Sequence, residues 1–126
     1  MILYHFTCAD AHKRIGRCNC LIIPQRVRHP VADWPPLSWF TTEAEPAREA
    51  IGLGAVRTAC DRMTHRYVIT DSSRCVPWLT CPLRPATPES FLRDLEEISK
   101  PETWWITEKP VRAEWDRAWR QGARVS

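Results

Sequence analysis

The chain opens with the apolar run ILYHFT, whose aliphatic and aromatic residues are typical of a β-strand. Because side chains alternate along a strand, His5 and Thr7 share a predicted face with Leu3, opposite Tyr4 and Phe6. A histidine in an apolar strand is either a structural group bonded to a backbone carbonyl or part of a site. The pairing of His5 with Thr7 makes this strand the first candidate for a functional role.

Later apolar runs that end at proline or at polar residues predict more short strands. The stretch DRMT between two of these runs favours a hairpin. Near the end of the chain, VRAEWDRAW is interpreted as a strand that runs into a short helix. The predicted strands are LIIP, LSWFTT, AVRTAC, HRYVIT and TWWIT.

Three segments are predicted to form helices. CADAHKRIGR is expected to have Asp10 as its N-cap and to bury Ile15, with His12 largely outside. EPAREAIGLG has a proline in its first turn. The clearest helix is ESFLRDLEEIS, for which Thr87 or Ser90 is the predicted cap. Its apolar stripe consists of Phe91, Leu92, Leu95 and Ile98.

Length and composition indicate one domain over residues 1–126, long enough to bury a core without disulfides or metal. Short strands, short helices and two long proline-rich loops predict a mixed α+β fold. No apolar run is long enough to span a membrane, and no signal-peptide pattern opens the chain. We therefore expect a cytoplasmic protein that does not contact a membrane.

The net charge of the chain gives little further information about its function. A net charge of +3 permits contact with nucleic acid but does not argue for it, because a dedicated binder usually has a concentrated basic stripe. Of the 18 basic residues 15 are arginine, the side chain best suited to phosphates and carboxylates. Codon bias in a GC-rich genome is the simpler explanation of that preference.

The six cysteines are predicted to be free thiols, because the chain has no export signal. Together with four histidines they make a zinc site conceivable. The cysteine pattern has a C-x-C and a C-x5-C, and neither matches the usual spacing of structural zinc ligands. No metal is therefore expected.

The order of the predicted elements, with the motifs YHFT and SWFTT, resembles the N-terminal half of the ADP-ribosyltransferase superfamily. That resemblance implies a split β-sheet core with short flanking helices, and NAD as the substrate. The LYHFT start, the WFT strand and the tryptophan-rich end are also similar to small proteins of actinobacteria and their phages. This narrower resemblance covers most of the chain but implies no particular activity.

The wider resemblance implies roles for residues in three strands. His5 resembles an early-strand histidine that contacts the ribose of NAD, with Thr7 beside it. Arg66 would meet a phosphate of the dinucleotide, because a guanidinium fork fits phosphate oxygens. The strand expected to line the nicotinamide pocket contributes Trp39, Phe40, Thr41 and Thr42.

The superfamily often uses a glutamate near its last strands for catalysis, and two residues lie in that region. They are Glu108 in WWITEKP and Glu114 in VRAEWD. Glu114 is preferred because it follows an apparent strand and lies between apolar neighbours. The chain departs from the superfamily in lacking a clear serine-threonine-serine run and a tyrosine at the centre of the triad.

The predicted function is transfer of ADP-ribose from NAD to a macromolecular acceptor, in a phage- or toxin-related role. If the acceptor is nucleic acid, Arg26, Arg28 and the aromatic stretch DWPP are expected to contact it. If it is a protein, the sequence does not indicate which side chain is modified. The alternative is a catalytically inactive protein that binds a host protein through exposed tryptophans.

Overall fold

The computed structural model describes residues 1–17, 20–25, 33–47, 50 and 62–120. Within these ranges the chain forms a six-stranded antiparallel sheet, a separate two-stranded sheet and two α-helices, which confirms the predicted α+β class. In chain order the elements are β1 (Leu3–Thr7), α1 (Ala9–Arg17), β2 (Leu21–Ile22), β3 (Ser38–Thr41), β4 (His65–Ile69), β5 (Val76–Pro77), α2 (Glu89–Glu96), β6 (Trp104–Thr107), β7 (Val111–Arg112) and β8 (Glu114–Trp115).

The strand order of the large sheet is β5-β6-β3-β1-β4-β8, and β2 pairs with β7 in the small sheet. The first strand therefore lies near the centre of the large sheet, with β8 at one edge. Predicted strands LIIP, LSWFTT, HRYVIT and TWWIT correspond to β2, β3, β4 and β6. The strand AVRTAC, and with it the predicted hairpin, lies outside the described residues.

The pairing of β1 with its neighbours defines the two faces of the large sheet. Along its whole length β1 is in register with β4, from Leu3 opposite Ile69 to Thr7 opposite His65. Because paired residues project to the same side, the side that carries His5 is called here the His5 face, and the other side the reverse face. The predicted alternation along β1 is thus confirmed.

The His5 face packs against α1 and the small sheet. Ile15 of α1 is buried in this layer, as the helical pattern predicts. The burial of these aliphatic and aromatic side chains fixes the helix and both sheets around the central strand. The buried cluster consists of Leu3, Ile15, Ile22, Phe40, Tyr67, Ile69, Cys75, Val111 and Ala113.

The reverse face is covered by a tryptophan-rich layer beneath α2. Trp78 is fully buried, and its indole Nε1 donates to a carboxylate oxygen of Glu96 at 2.5 Å. Arg84 bonds both oxygens of the same carboxylate, so the end of α2 is fixed to the segment after β5. Leu92 and Leu95 of the predicted apolar stripe pack here.

The ends of the helices differ from the predictions. α2 begins after Pro88, and no side chain caps it. Thr87 instead donates its hydroxyl to the carbonyl of Leu83 and accepts the indole N–H of Trp34, which removes it from the cap. Ile98 lies beyond the helix and is 63% exposed. Asp10 lies in the first turn of α1 rather than before it.

Candidate functional site

His5 is held in one orientation on the central strand. Its ring Nδ1 lies 2.8 Å from the carbonyl oxygen of Trp39 on β3, and its ring packs against Phe40 with 5.5 Å between centroids. A carbonyl can only accept, so Nδ1 carries the proton and Nε2 presents a lone pair when the ring is neutral. Burial lowers the pKa of His5 more than the bond to Trp39 raises it, and the charge of Arg62 lowers it further. The structure therefore favours a neutral imidazole with a fixed tautomer.

The hydrogen bond from His5 to Trp39 joins β1 and β3 beyond the residues that pair in register. The register pair between β1 and β3 is Tyr4 with Thr41, at one end of both strands. Toward the other end, the side chain of His5 supplies the hydrogen bond to Trp39. The same end of the sheet carries Thr7 and Ser38, the terminal residues of the two strands.

A row of buried polar side chains crosses this end of the His5 face. Thr7 is in register with His65, and Ser38 is in register with Thr107. Thr7 ends β1 and Ser38 begins the neighbouring antiparallel strand β3, so both residues lie at this end of the sheet. The three hydroxyl residues are each at most 5% exposed. We call Thr107, Ser38, Thr7 and His65 the polar row.

The motif SWFTT is divided between the two faces. Phe40 lies on the His5 face, buried, and is paired with Trp105. Trp39 lies on the reverse face, where its ring packs 5.0 Å from that of Trp78. Thr41, also on the reverse face, donates to the hydroxyl of Thr103 and accepts the backbone N–H of the following loop. The exposed Thr42 follows the strand. Of this motif, Phe40 is the residue whose side chain is brought next to His5, and Trp39 contacts it only through the backbone carbonyl.

Arg66 lies on the reverse face and is fully engaged there. Its guanidinium bonds the carboxylate of Asp116 through Nε, at 3.0 Å, and Nη2, and donates from Nη1 to the carbonyl of Ala44 at 2.6 Å. It also lies over the rings of Tyr4 and Trp119. The predicted contact of Arg66 with a phosphate would require it to leave these partners.

The two predicted acids occupy different places. Glu114 is in register with Val68, which places it on the reverse face of an edge strand, exposed and opposite to His5. Glu108 directly follows Thr107, at the end of the sheet that carries the polar row, and is exposed. The structure therefore brings Glu108, not Glu114, to the end of the sheet where His5 and Thr7 lie.

A second group of aromatic side chains, missed by the sequence analysis, adjoins the polar row. His12 of α1 stacks on His65 with ring centroids 3.9 Å apart and planes 5° apart, and its Nδ1 lies 2.6 Å from the hydroxyl of Tyr67. Burial, with a smaller contribution from Cys20, raises the pKa of Tyr67 to about 12. The ring of Trp115 lies 4.5 Å from that of His12. The alternation of His65 with Tyr67 in HRYVIT was the available signal.

A pocket of about 330 Å³ opens beside this group, between the start of β4 and the segment that follows β8. Arg117 stacks its guanidinium 4.4 Å from the centre of the Trp115 ring. The Nη1 of Arg120 donates to two backbone carbonyls of the same segment. The pocket is lined by Thr64, His65, Trp115, Asp116, Trp119 and Arg120.

Comparison with known proteins does not assign the chain to a family. No protein-family description, curated protein or solved structure matches the chain. Within the described ranges no helix is both long and apolar enough to cross a membrane. The described residues also bring together no group of three or more histidine, cysteine or acidic side chains that could hold a metal ion. Arg26 and Arg28 lie outside the described part of the chain, whereas Trp34 of DWPP packs against Trp39 and Trp78 on the reverse face.

Proposed function

We propose that this protein is an ADP-ribosyltransferase-like domain that binds NAD along the polar row. The observation that carries the proposal is the fixed, neutral imidazole of His5 beside buried hydroxyls. Nδ1–H is used by the Trp39 carbonyl, so Nε2 is left as an acceptor for a ribose hydroxyl. Thr7 and Ser38 provide groups that both donate and accept. A sugar with adjacent hydroxyls matches this set.

The apolar neighbours of His5 support the same proposal. Phe40 and Trp105 form a cross-strand aromatic pair on the His5 face, beside the imidazole. Phe40 is buried in the core, so the half-buried Trp105 is the ring assigned to stack on a ligand that has a planar ring attached to a sugar, as nicotinamide riboside does. Burying hydroxyl groups costs free energy unless they are hydrogen-bonded. The hydroxyl of Thr107 already accepts the backbone N–H of Lys109, so the hydroxyls of Thr7 and Ser38 are the ones assigned to the ligand.

Transfer of ADP-ribose needs a carboxylate near the ribose. As the bond between nicotinamide and the ribose carbon breaks, positive charge develops on the sugar, and a carboxylate stabilises it and accepts the acceptor's proton. The new bond joins that carbon to the acceptor, and nicotinamide leaves. Because Glu108 follows the polar row and Glu114 faces away from it, we propose Glu108 as the first candidate for this acid.

The test measures nicotinamide release from NAD by wild type, Glu108→Gln and Glu114→Gln. If Glu108 acts as proposed, Glu108→Gln slows release at least about 100-fold with little change in KM. Glu114→Gln retains the wild-type rate and is the matched control, since it removes the same charge from an exposed position. A rate that falls only in Glu114→Gln would contradict the assignment.

A second candidate function is that of a non-enzymatic interaction protein of phage or bacterial origin. It is favoured by the position of Glu114 on the face opposite to His5, and by Trp115, which is 36% exposed on an edge strand. In that case neither NAD nor ADP-ribose binds. Calorimetric titration of both ligands into the full chain separates the candidates: saturable binding supports the domain proposed above, and none supports the interaction protein.

A further inference from the structure

The pocket at the sheet edge has a cationic rim. Arg117 and Arg120 follow β8, and within the described residues neither pairs with a carboxylate. The acid that lines the pocket, Asp116, is already ion-paired with Arg66. The positive charges of Arg117 and Arg120 are thus not neutralised by the described neighbours. Arg120 lines the pocket, and Arg117 stacks on Trp115, which also lines it.

We propose that this pocket binds a phosphate group, held by the guanidinium groups of Arg117 and Arg120 beside the stacked imidazoles of His12 and His65. Guanidinium forks match the oxygens of phosphate and form short, charge-assisted hydrogen bonds with them. Stacking on Trp115 holds Arg117 in place before any ligand arrives, which reduces the entropy lost on binding.

The imidazole of His65 provides an independent reason to expect a ligand at this pocket. The Nδ1 atom of His65 is buried and has no hydrogen-bond partner among the described residues. An unsatisfied buried polar atom is costly, so its presence beside a cavity points to a ligand. Its ring is stacked face to face with that of His12, with 3.9 Å between centroids, so a ligand beside His65 also lies near the His12 ring.

Binding is therefore expected to depend on pH through His12. Burial, the neighbouring His65 and the charge of Arg117 all lower the pKa of His12. The groups that face it are His65 and Tyr67 from β4 and Arg117 from the segment after β8, with Cys20 near Tyr67. A bound anion favours the protonated ring, so affinity rises as the pH falls.

Sulfate is the first probe, because it stays a dianion over the relevant pH range whereas phosphate itself titrates. Sulfate is titrated into the full chain while indole and imidazole resonances are followed by NMR at about pH 6 and pH 8. We expect saturable shifts at Trp115 and His65, with tighter binding at the lower pH. Arg120→Gln and Arg117→Gln should each weaken binding about tenfold.

Arg93→Gln is the matched control, since Arg93 is an exposed arginine on α2 whose ion pair with Glu89 is solvated. It should bind sulfate as wild type does, and His12→Asn should bind with reduced pH dependence. No saturable shift in wild type would overturn the proposal. Equal affinity in wild type and both pocket variants would do the same.

The phosphate can belong to a mononucleotide or to the diphosphate of NAD, and AMP and NAD distinguish these sources. If NAD supplies it, NAD displaces sulfate and Arg120→Gln weakens NAD binding. If a separate nucleotide supplies it, AMP displaces sulfate and NAD does not. Failure of NAD binding leaves the sulfate result unchanged, so this proposal and the NAD proposal fail separately.

Discussion

The polar side chains on the two faces of the sheet differ in their hydrogen-bond partners. On the reverse face they bond one another: Arg66 engages Asp116 and a carbonyl, and Thr41 engages Thr103. On the His5 face, the Trp39 carbonyl takes one nitrogen of His5, and a buried nitrogen of His65 has no partner among the described residues. Hydrogen-bonded polar groups stabilise a fold, whereas a buried polar group without a partner costs free energy that a ligand or water would relieve. The comparison favours the His5 face as the binding face.

The largest effect is expected from breaking the ion pair of the reverse face. Arg66→Met leaves the largely buried Asp116 carboxylate without its guanidinium partner, which should lower the free energy of unfolding by about 3 kcal/mol. Denaturant unfolding measures the loss. Arg74→Met is the control, because the exposed Arg74 makes a long bond to a carbonyl and a solvated interaction with Asp71, and its loss should change stability by about 0.5 kcal/mol or less.

The same variant also tests the assignment of the faces. If the reverse face is purely structural, the Arg66→Met protein, measured at a temperature where it is still folded, binds NAD as tightly as wild type. A folded Arg66→Met protein that has lost NAD affinity would instead support the predicted contact between Arg66 and a phosphate.

A smaller effect is expected from two matched threonines. Thr41→Val removes a hydroxyl that bonds Thr103 and a backbone N–H, and should cost about 1–2 kcal/mol of stability. Thr7→Val removes a hydroxyl of the polar row, and should weaken NAD binding more than it lowers stability. Denaturant unfolding measures the stability of both variants, and calorimetric titration measures their NAD affinity. A Thr7→Val protein with unchanged NAD affinity would remove Thr7 from the site.

The smallest effect concerns pH and the neutral imidazole of His5. Its pKa is lowered in the folded protein, mainly by burial, so the unfolded chain binds the proton more tightly. The stability this gives is present above the unfolded pKa of about 6.5 and is lost as the pH falls below it. The melting temperature of wild type should therefore decline on acidification, partly also through His12. In His5→Gln, which does not titrate, the decline should be shallower; an equal slope would contradict a neutral His5.

Local patterns in the sequence predicted much of the fold. Alternation in ILYHFT placed His5 and Thr7 on one face, and the apolar runs located β3, β4 and β6, because each strand is short and consistently patterned. The helix caps were wrong where a side chain found a stronger partner, as Thr87 did with Leu83 and Trp34. Such partners are distant in sequence and leave no local signal.

The site was harder to predict than the fold, because it depends on register between strands. Alternation within a strand gives the relative face of its own residues but not the face of Glu114 relative to His5, which depends on the pairings through β4. His12 was expected largely on the outer face of α1, yet it stacks on His65 of a strand more than 50 residues away. Only the assembled sheet shows that His12, His65 and the polar row lie together.

The most direct test of the account is thermal unfolding of wild type and His5→Ala, each with and without NAD. A ligand at one hundred times its dissociation constant stabilises the folded state by about 2.7 kcal/mol, a rise of roughly 4 °C or more for a chain of this size. The account predicts that rise in wild type and its loss in His5→Ala. The same rise in both proteins, or none in wild type, would contradict the proposal that NAD binds at His5.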